Sequence, residues 1–448
     1  MLSLDNLHPY QHRVLELAKK SPNLGLLMEP GLGKTVTALS IIRQSSSGRT
    51  LVVAPKQVAE SVWMQECAKW EHLKDLHVVK IMGTPRQRLY ALHENADVYV
   101  VNNENLAWLV ENWVPGKFDY LVLDESSRFK DPSTKRFKAL KKVLREFKRR
   151  IIATGTPTPQ GLGDLWSQVA VLDLGERLGK TLTGFRDNYM FASERNRHTG
   201  VVYKWAVREG KDKEIMEKIS DICVSLRAED YLTLPVLTEV YQPVSLPEPV
   251  MASYKQLKKS MVTEIDGTQI TAVSAAALAN KLLQATSGAL YDEDGNVVVA
   301  HDAKLEALES IVEQAAGPVL VFYHYKSSLS RIMSSFPQAV AMAPEVLDDW
   351  RAGKVPIMLA HPQSGGIGVN LQCNAHDMAH VVWFDLPWSS ESYVQSNARV
   401  YRQGQEKPVV LHHLVATGTI DQQVVDVLDG KISLQDAVLD TLKMEATA

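Results

Sequence analysis

The sequence predicts an α/β protein built as two tandem lobes, each a mostly parallel sheet flanked by helices. Three observations predict it. Near-continuous apolar runs recur along the chain, each followed by a helical pattern. The rhythm stops after about residue 165 and resumes late in the chain. A stretch with four prolines, LPVLTEVYQPVSLPEPV (234–250), lies between the two sets and reads as a connector.

The first set of runs is NLGLLME (23–29), TLVVAP (50–55), ADVYVVNN (96–103), YLVLDE (120–125) and RRIIATGTP (149–157). None alternates apolar with polar, which is the pattern of parallel strands buried on both faces. Helix-like segments such as TVTALSIIRQ and SVWMQECAKW separate them. That is a βαβ rhythm with right-handed crossovers. The second set is GPVLVFYHY (317–325), VPIMLAHP (355–362), HVVWFDLP (380–387) and VVLHHLVA (409–416), with SSESYVQSNARVYRQ as a helical pattern among them. The expected domains are a first lobe with a helical extension over 1–233, a connector and helical segment over 234–300, and a second lobe over 301–448.

Composition narrows the class. At 448 residues and 45% hydrophobic, the chain is long enough for two or three domains. Its net charge of −3 makes it neither a basic nor an acidic tail, so nucleic-acid affinity has to come from local patches. Cys67, Cys223 and Cys373 are isolated, without a C-x-x-C pair or a histidine cluster, which argues against a disulfide framework or a structural zinc. The N-terminus lacks the apolar core of a signal peptide, and no apolar run approaches the roughly 18 residues of a membrane span. A soluble intracellular protein is expected.

The stretch MEPGLGKTVTALS (28–40) holds the first candidate site. An apolar strand, a glycine turn and a helix opening at Lys34 form the context of a phosphate-binding loop. The strict loop pattern has glycine five positions before Gly33, where this chain has Met28. The backbone of Gly31, Leu32 and Gly33 would approach the phosphates of ATP, and the helix N-terminus would hold their charge. Lys34 would reach the β- and γ-phosphates, and the Thr35 hydroxyl would ligate Mg²⁺. A plain turn before an amphipathic helix is the competing account of the loop alone. In YLVLDESSRF, Asp124 and Glu125 end an apolar strand, where α/β sheets place ligands. Asp124 would bind Mg²⁺ and Glu125 would orient or deprotonate the attacking water. An Asp-Glu pair at a strand end is common by itself; 90 residues after Gly-Lys-Thr it is an improbable coincidence.

With these residues in view, the chain resembles the Swi/Snf-type ATPases of helicase superfamily 2, from Leu7 to about Lys431. LHPYQ (7–11) looks like the adenine-side motif, with Gln11 as the base-reading amide. GLGKT is the superfamily's form of the loop, which does not require the early glycine; Glu29 matches the usual preceding acid, whereas Met28 and Pro30 depart from the pattern. LVVAPKQVAESVWMQECAKW (51–70) is similar to the next motif. DESS stands in place of an Asp-Glu-Ala-His box, with Ser126 and Ser127 replacing Ala and His. ATGTPTPQGLGDLWSQ (153–168) looks like the coupling motif, which implies coupling roles for Thr154, Gly155 and Thr156. SGGIGVNLQ (364–372) matches the Gly-Gly-x-Gly-x-Asn-Leu motif, implying an ATP contact at Gly368 and a coupling or DNA role for Asn370. WFDLPWSSESYVQSNARVYRQGQ (383–405) matches the last motif, which carries Trp388, Gln395, Arg399 and Arg402. Arg399 and Arg402 lie three apart, so on a helix they would share a face and point at a γ-phosphate across the cleft. An arginine delivered this way is worth about 10³–10⁵ in rate.

The resemblance implies that the two lobes are RecA-like, with the active site in the cleft between them. It also implies a monomeric motor that hydrolyses ATP with Mg²⁺ and moves on double-stranded DNA, in replication, recombination or repair. Locally, RFKDPSTKRFKALKKVLREFKRR (128–150) holds eleven basic residues against Asp131 and Glu146. Such a run neutralises phosphates or is an ordinary basic exterior helix, and the sequence leaves both open. Trp388 likewise contacts a sugar or base, or is core. A strand-separating DNA or RNA helicase is a second reading, weakened because no wedge hairpin is evident. A third is a nucleotide-dependent switch with little turnover, which has no need of Glu125, Arg399 and Arg402 together.

Overall fold

Both sheets form where apolar runs can be buried on two sides. The computed structural model describes residues 1–45, 48–56, 58–159, 161–195, 202–231, 234–315, 317–363 and 369–430. The chain divides into two compact units, which part between residues 232 and 233.

In the first unit lie β1 (Asn23–Met28), β2 (Thr50–Ala54), β3 (Val78–Ile81), β4 (Val98–Asn102), β5 (Tyr120–Asp124) and β6 (Arg149–Thr154). β7 (Met190–Arg195) and β8 (Val202–Val207) make a separate antiparallel hairpin, and β9 (Cys223–Leu226) returns to the sheet. The order is β3-β4-β2-β5-β6-β1-β9, and every neighbouring pair is parallel. Alternate residues of β2 serve different cores. Leu51 and Val53 pack towards helices Lys135–Val143 and Leu165–Asp173, while Val52 and Ala54 pack towards helices Pro9–Lys20 and Lys34–Gln44. This double burial explains the absence of alternation in the sequence.

The second unit repeats the arrangement. After β10 (Leu237–Val244) come two hairpins, β11 (Val262–Ile265) with β12 (Thr268–Thr271) and β13 (Ala289–Tyr291) with β14 (Val297–Val299). Then follow β15 (Val319–Phe322), β16 (Ala339–Ala341), β17 (Ile357–Ala360), β18 (Ala379–Trp383) and β19 (Val409–Ala416). Their order is β10-β19-β18-β15-β17-β16, again parallel throughout.

Residues 234–300, expected as a connector and helical segment, lie within this second unit. The proline-bearing stretch supplies β10, an edge strand, where the missing N–H of Pro243 costs no central ladder bond. Tyr254 and Leu257 of helix Glu248–Ser260, with Leu278 and Leu282 of helix Ala275–Ser287, pack into the unit's core. The hairpins also differ from expectation. Asp266 and Gly267 both take positive φ, 48° and 72°, in the two-residue turn that Asp-Gly favours. The tips carry Asp266 in one hairpin and Asp292, Glu293 and Asp294 in the other. Acidic tips repel phosphates. Among the described residues, no helix is long and apolar enough to cross a membrane.

One buried ion pair joins several elements of the second unit. Lys304 and Asp421 lie 2.8 Å apart at 1% and 0% side-chain exposure. The Asp421 carboxylate also accepts from Thr286 Oγ1 at 2.7 Å and Ala416 N at 3.0 Å, and Lys304 donates to the Phe384 carbonyl at 3.2 Å. Removing one partner of such a pair leaves an uncompensated buried charge, at a cost of about 3–5 kcal/mol. Lys304→Met is therefore expected to lower the unfolding free energy of the second unit in urea by that amount. The double substitution Lys304→Met with Asp421→Leu should cost clearly less than the sum of the two single changes. Strict additivity would exclude the pair as a coupled unit.

Candidate active site

The phosphate loop begins where β1 leaves the sheet. Met28 is fully buried and still paired with Leu226 in β9, so the chain has not yet turned at the position where the strict pattern has glycine. The turn falls on Gly31 and Gly33, at φ 91° and 71°, and helix Lys34–Gln44 follows directly. A Cβ at Gly33 would sit 2.6 Å from Gln11 Nε2. That amide is buried, donates to Thr37 Oγ1 at 3.2 Å and accepts from the His8 backbone at 2.8 Å. Gln11 thus stands behind the loop, and Leu32 is wholly buried beneath it. The Lys34 ammonium donates to the Met28 and Glu29 carbonyls at 2.9 and 3.4 Å, and Thr35 is half-buried in the first helical turn. Glu29 fastens the loop to the chain after β9, accepting from Ala228 N at 2.8 Å.

The two carboxylates are held differently. Asp124 ends β5, buried, and accepts from the Trp63 indole at 3.0 Å. Burial, and then the neighbouring Glu125, push its pKa up to about 6, while Lys34 pulls the other way. A buried carboxylate raised in this way is one that a cation would stabilise in its ionised form. Glu125 has left the strand at φ 57°, a conformation that is strained for a residue with a Cβ and clusters at functional sites. Its Oε1 accepts from Thr154 Oγ1 at 2.9 Å and from Ser127 Oγ at 3.3 Å. Thr154 is the last residue of β6, adjacent to β5, and its hydroxyl also accepts from Thr156 N at 3.2 Å. Gly155 lies against the phosphate loop, where a Cβ would meet Pro30 Cδ at 2.8 Å.

Ser126 and Ser127, which replace the usual Ala-His, both act locally. Ser127 donates to Glu125, and Ser126 donates to Gln168 Oε1 at 2.8 Å. Gln168 Nε2 in turn donates to the Pro157 and Asp164 carbonyls at 2.7 and 2.9 Å. The acidic strand end and the segment after β6 are therefore tied by two separate chains of hydrogen bonds. Sequence reasoning missed Trp63, which lies within the motif at 51–70, as the Asp124 donor. A π-helical turn, Val58–Val62, precedes the Trp63 helix. It also missed Tyr231, whose ring lies 4.9 Å from that of Tyr10, itself bonded to the Leu32 carbonyl at 3.3 Å.

The second-unit candidates are placed as follows. Gly368 falls outside the described residues. Asn370 Nδ2 donates to Gln372 Oε1 at 2.8 Å, and Gln372 Nε2 donates to the Arg402 and Gln403 carbonyls at 2.9 and 3.2 Å. Gln395 donates to Glu391 at 3.2 Å along helix Ser390–Asn397. Trp388 is partly buried against the unit's core, which favours the core account over nucleic-acid contact. Arg399 and Arg402 do not share a helix face, because the helix ends at Asn397 and both follow in turns. Arg399 is buried, donates to the Pro362 carbonyl at 2.9 Å and is pulled down to about 10 by desolvation, which leaves it a cation at neutral pH. Arg402 is half-buried.

The residues fit a nucleotide with a hard cation. A hydroxyl at Thr35 and a buried carboxylate at Asp124 are oxygen donors of the kind Mg²⁺ takes, with phosphate and water completing the shell. Among the described residues no group of three or more His, Cys, Asp or Glu could hold a metal without such a ligand.

The family described as the SNF2-related domain matches residues 10–287. Protein p41 of Acyrthosiphon pisum secondary endosymbiont phage 1 is 35% identical over 97% of this chain and 98% of its own. DNA repair and recombination protein RAD54B of Gallus gallus is 23% identical over 98% of this chain and 55% of its own. The chain spans about half or less of several other curated relatives. Among solved structures, the Sulfolobus solfataricus SWI2/SNF2 ATPase core in complex with dsDNA is 22% identical at a TM-score of 0.44, covering 97% of this chain and 94% of that one.

Two substitutions separate the roles assigned above. Glu125→Gln should leave nucleotide binding largely intact and abolish turnover, whereas Lys34→Ala should weaken binding itself. Thr154→Val removes a hydrogen bond to a charged group, worth about 1.5–3 kcal/mol. If that bond holds Glu125 for the reaction, kcat should fall roughly 10- to 100-fold with little change in the ATP KM. A Thr154→Val enzyme with normal kcat would show that Glu125 needs no such support.

Proposed function

We propose that this chain, which belongs to the SNF2-related family of Swi/Snf-type ATPases in helicase superfamily 2, is an ATP-dependent translocase on double-stranded DNA. One observation carries the reading most directly: Glu125 is fixed by Thr154 and Ser127 beside buried Asp124, on the strand edge that also bears the phosphate loop. A switch that binds nucleotide without turnover has no use for a carboxylate held in strained backbone.

In this reading Lys34 exchanges its bonds to the Met28 and Glu29 carbonyls for the β- and γ-phosphates of ATP. Thr35 and Asp124 would hold Mg²⁺, which when bound neutralises charge building on the phosphate oxygens. Glu125 orients the attacking water and takes its proton. We assign Arg399 and Arg402 to the charge of the transition state. Coupling to movement runs from Glu125 through Thr154 and from Ser126 through Gln168, so a change at the γ-phosphate reaches the segment after β6 by two routes. DNA as the partner is supported by the RAD54B relative, a DNA repair and recombination protein by name, and duplex DNA is the form we propose.

ATPase rates measured without nucleic acid and with single-stranded DNA, duplex DNA or RNA test this directly. Weak basal turnover and strong stimulation by the duplex are expected; equal rates under all four conditions would overturn the reading. Arg402→Lys keeps the charge but loses the planar fork. It should cut kcat tenfold or more while the ATP KM stays within about threefold. A variant that loses DNA binding but keeps basal ATPase would move Arg402 out of the nucleotide site.

A further inference from the structure

The basic run 128–150 separates, in the fold, into residues that are engaged and residues that are not. Lys148 pairs with Asp119 at 2.6 Å, Arg149 donates to the Ala18 carbonyl at 3.0 Å, and Arg150 is buried with its side chain on Asn23. The remainder centres on helix Lys135–Val143 and the turn Leu144–Glu146 that continues it. Phe137, Ala139, Leu140 and Val143 face the core. Lys135, Lys138, Lys141, Lys142 and Arg145 are all exposed. Positions 135, 138, 142 and 145 follow the i, i+3, i+7, i+10 spacing of a single stripe.

Among the described residues, none of these five pairs with a carboxylate. Some exposed lysines and arginines elsewhere in the chain are matched at helical spacing, as in Lys19–Glu16, Lys69–Glu66, Lys211–Glu214 and Arg351–Asp348. Here the acids close in sequence are already used. Asp131 accepts from the Ser133 amide at 2.8 Å and feels Lys138 only at a distance, and Glu146 accepts from the Trp113 indole at 2.8 Å. Like charges at i, i+3 and i, i+4 weaken a helix. Lys135 and Arg136 in the first turn also oppose the helix dipole. Lys141 and Lys142 in the last turn complement that dipole, as Lys258 and Lys259 do at the end of helix Glu248–Ser260. Local helix stability therefore accounts for Lys142 but not for Lys135 or Lys138.

We infer that the exposed stripe Lys135, Lys138, Lys142 and Arg145 is a docking surface for the phosphate backbone of duplex DNA, separate from the residues assigned to the nucleotide. Ten residues of helix span about 15 Å, close to the axial rise of about four phosphates on one strand. The inference rests on the translocase reading for the identity of the polyanion, and on charge and helix geometry for the surface.

The test is a fourfold Gln variant, Lys135→Gln, Lys138→Gln, Lys142→Gln and Arg145→Gln, of the full chain. A threefold control carries Lys255→Gln, Lys258→Gln and Lys259→Gln. Binding to a duplex is followed by anisotropy between about 50 and 200 mM salt. The fourfold variant should lose about tenfold or more in affinity, and the magnitude of its salt slope should fall by roughly three to four, as expected for that many lost phosphate contacts. Its DNA-free ATPase and its kcat at saturating DNA should match wild type, and the control should bind as wild type does. Wild-type duplex stimulation with unchanged binding and salt slope in the fourfold variant would overturn the inference and leave the translocase reading standing. An equal loss in the control would reduce the stripe to general surface charge. A wild-type protein that neither binds nor responds to duplex DNA would overturn both.

Discussion

A wholly parallel sheet delivers all of its strand ends to one edge, and the candidate chemistry of the first unit depends on that constraint. β1 pairs with β6 so that Leu27 faces Thr154, and β6 pairs with β5 so that Ala153 faces Asp124. Three segments far apart in sequence thereby end side by side: the phosphate loop, the coupling segment and the acidic pair. The hydrogen bond from Thr154 to Glu125 is possible because adjacent strands stop within one residue of each other. A shift of one residue would send Thr154 to the opposite face of the sheet and break it.

Burial then gives these groups their character. Asp124 is raised because it ends a strand that is buried on both faces, next to a second carboxylate. The same environment would be costly without partners, and it supplies them in the Trp63 indole, the Thr154 and Ser127 hydroxyls and the Lys34 ammonium. Such a site is poised to gain a cation and a polyphosphate, since each supplies charge of the sign the buried groups lack. The second unit uses the same architecture for a structural purpose. There Asp385, just past the end of β18, accepts from the His324 and Tyr325 backbone and from Ser328, so its carboxylate secures the start of helix Lys326–Ser335. A carboxylate at a strand end is therefore no proof of catalysis; what surrounds it decides.

Ser126 and Ser127 show how such a site absorbs a departure from its family's pattern. A histidine reaches farther than a serine, yet the shorter hydroxyls still find partners, one on Glu125 and one on Gln168. The link between the acidic strand end and the segment after β6 is kept within the first unit by hydrogen bonds rather than by ring contact. Asparagine pairing plays a comparable part in the second unit, where Asn370 and Gln372 stitch the chain after the glycine-rich motif to the carbonyls of Arg402 and Gln403.

The sequence by itself determined the interior strands and the glycine turn that precedes helix Lys34–Gln44. β1, β2, β4, β5 and β6, and then β15, β17, β18 and β19, all lie inside their sheets and all read as apolar runs, because burial on both faces leaves no room for polar residues. Within the two large sheets, the strands it did not resolve, β3, β9, β10 and β16, are the four edges. An edge strand is short or partly exposed and needs no apolar signature; its pairing is decided by what the neighbouring strand offers. The loop was legible because glycine at positive φ before a helix is a local demand on the backbone. Tertiary structure alone decided which groups hold Glu125 and which arginines are buried. It also decided where helix Ser390–Asn397 stops short of Arg399, and which members of the basic run turn inward. Those outcomes depend on contacts between residues far apart in the chain, as between Arg150 and Asn23 or Ser126 and Gln168, and no local pattern encodes them.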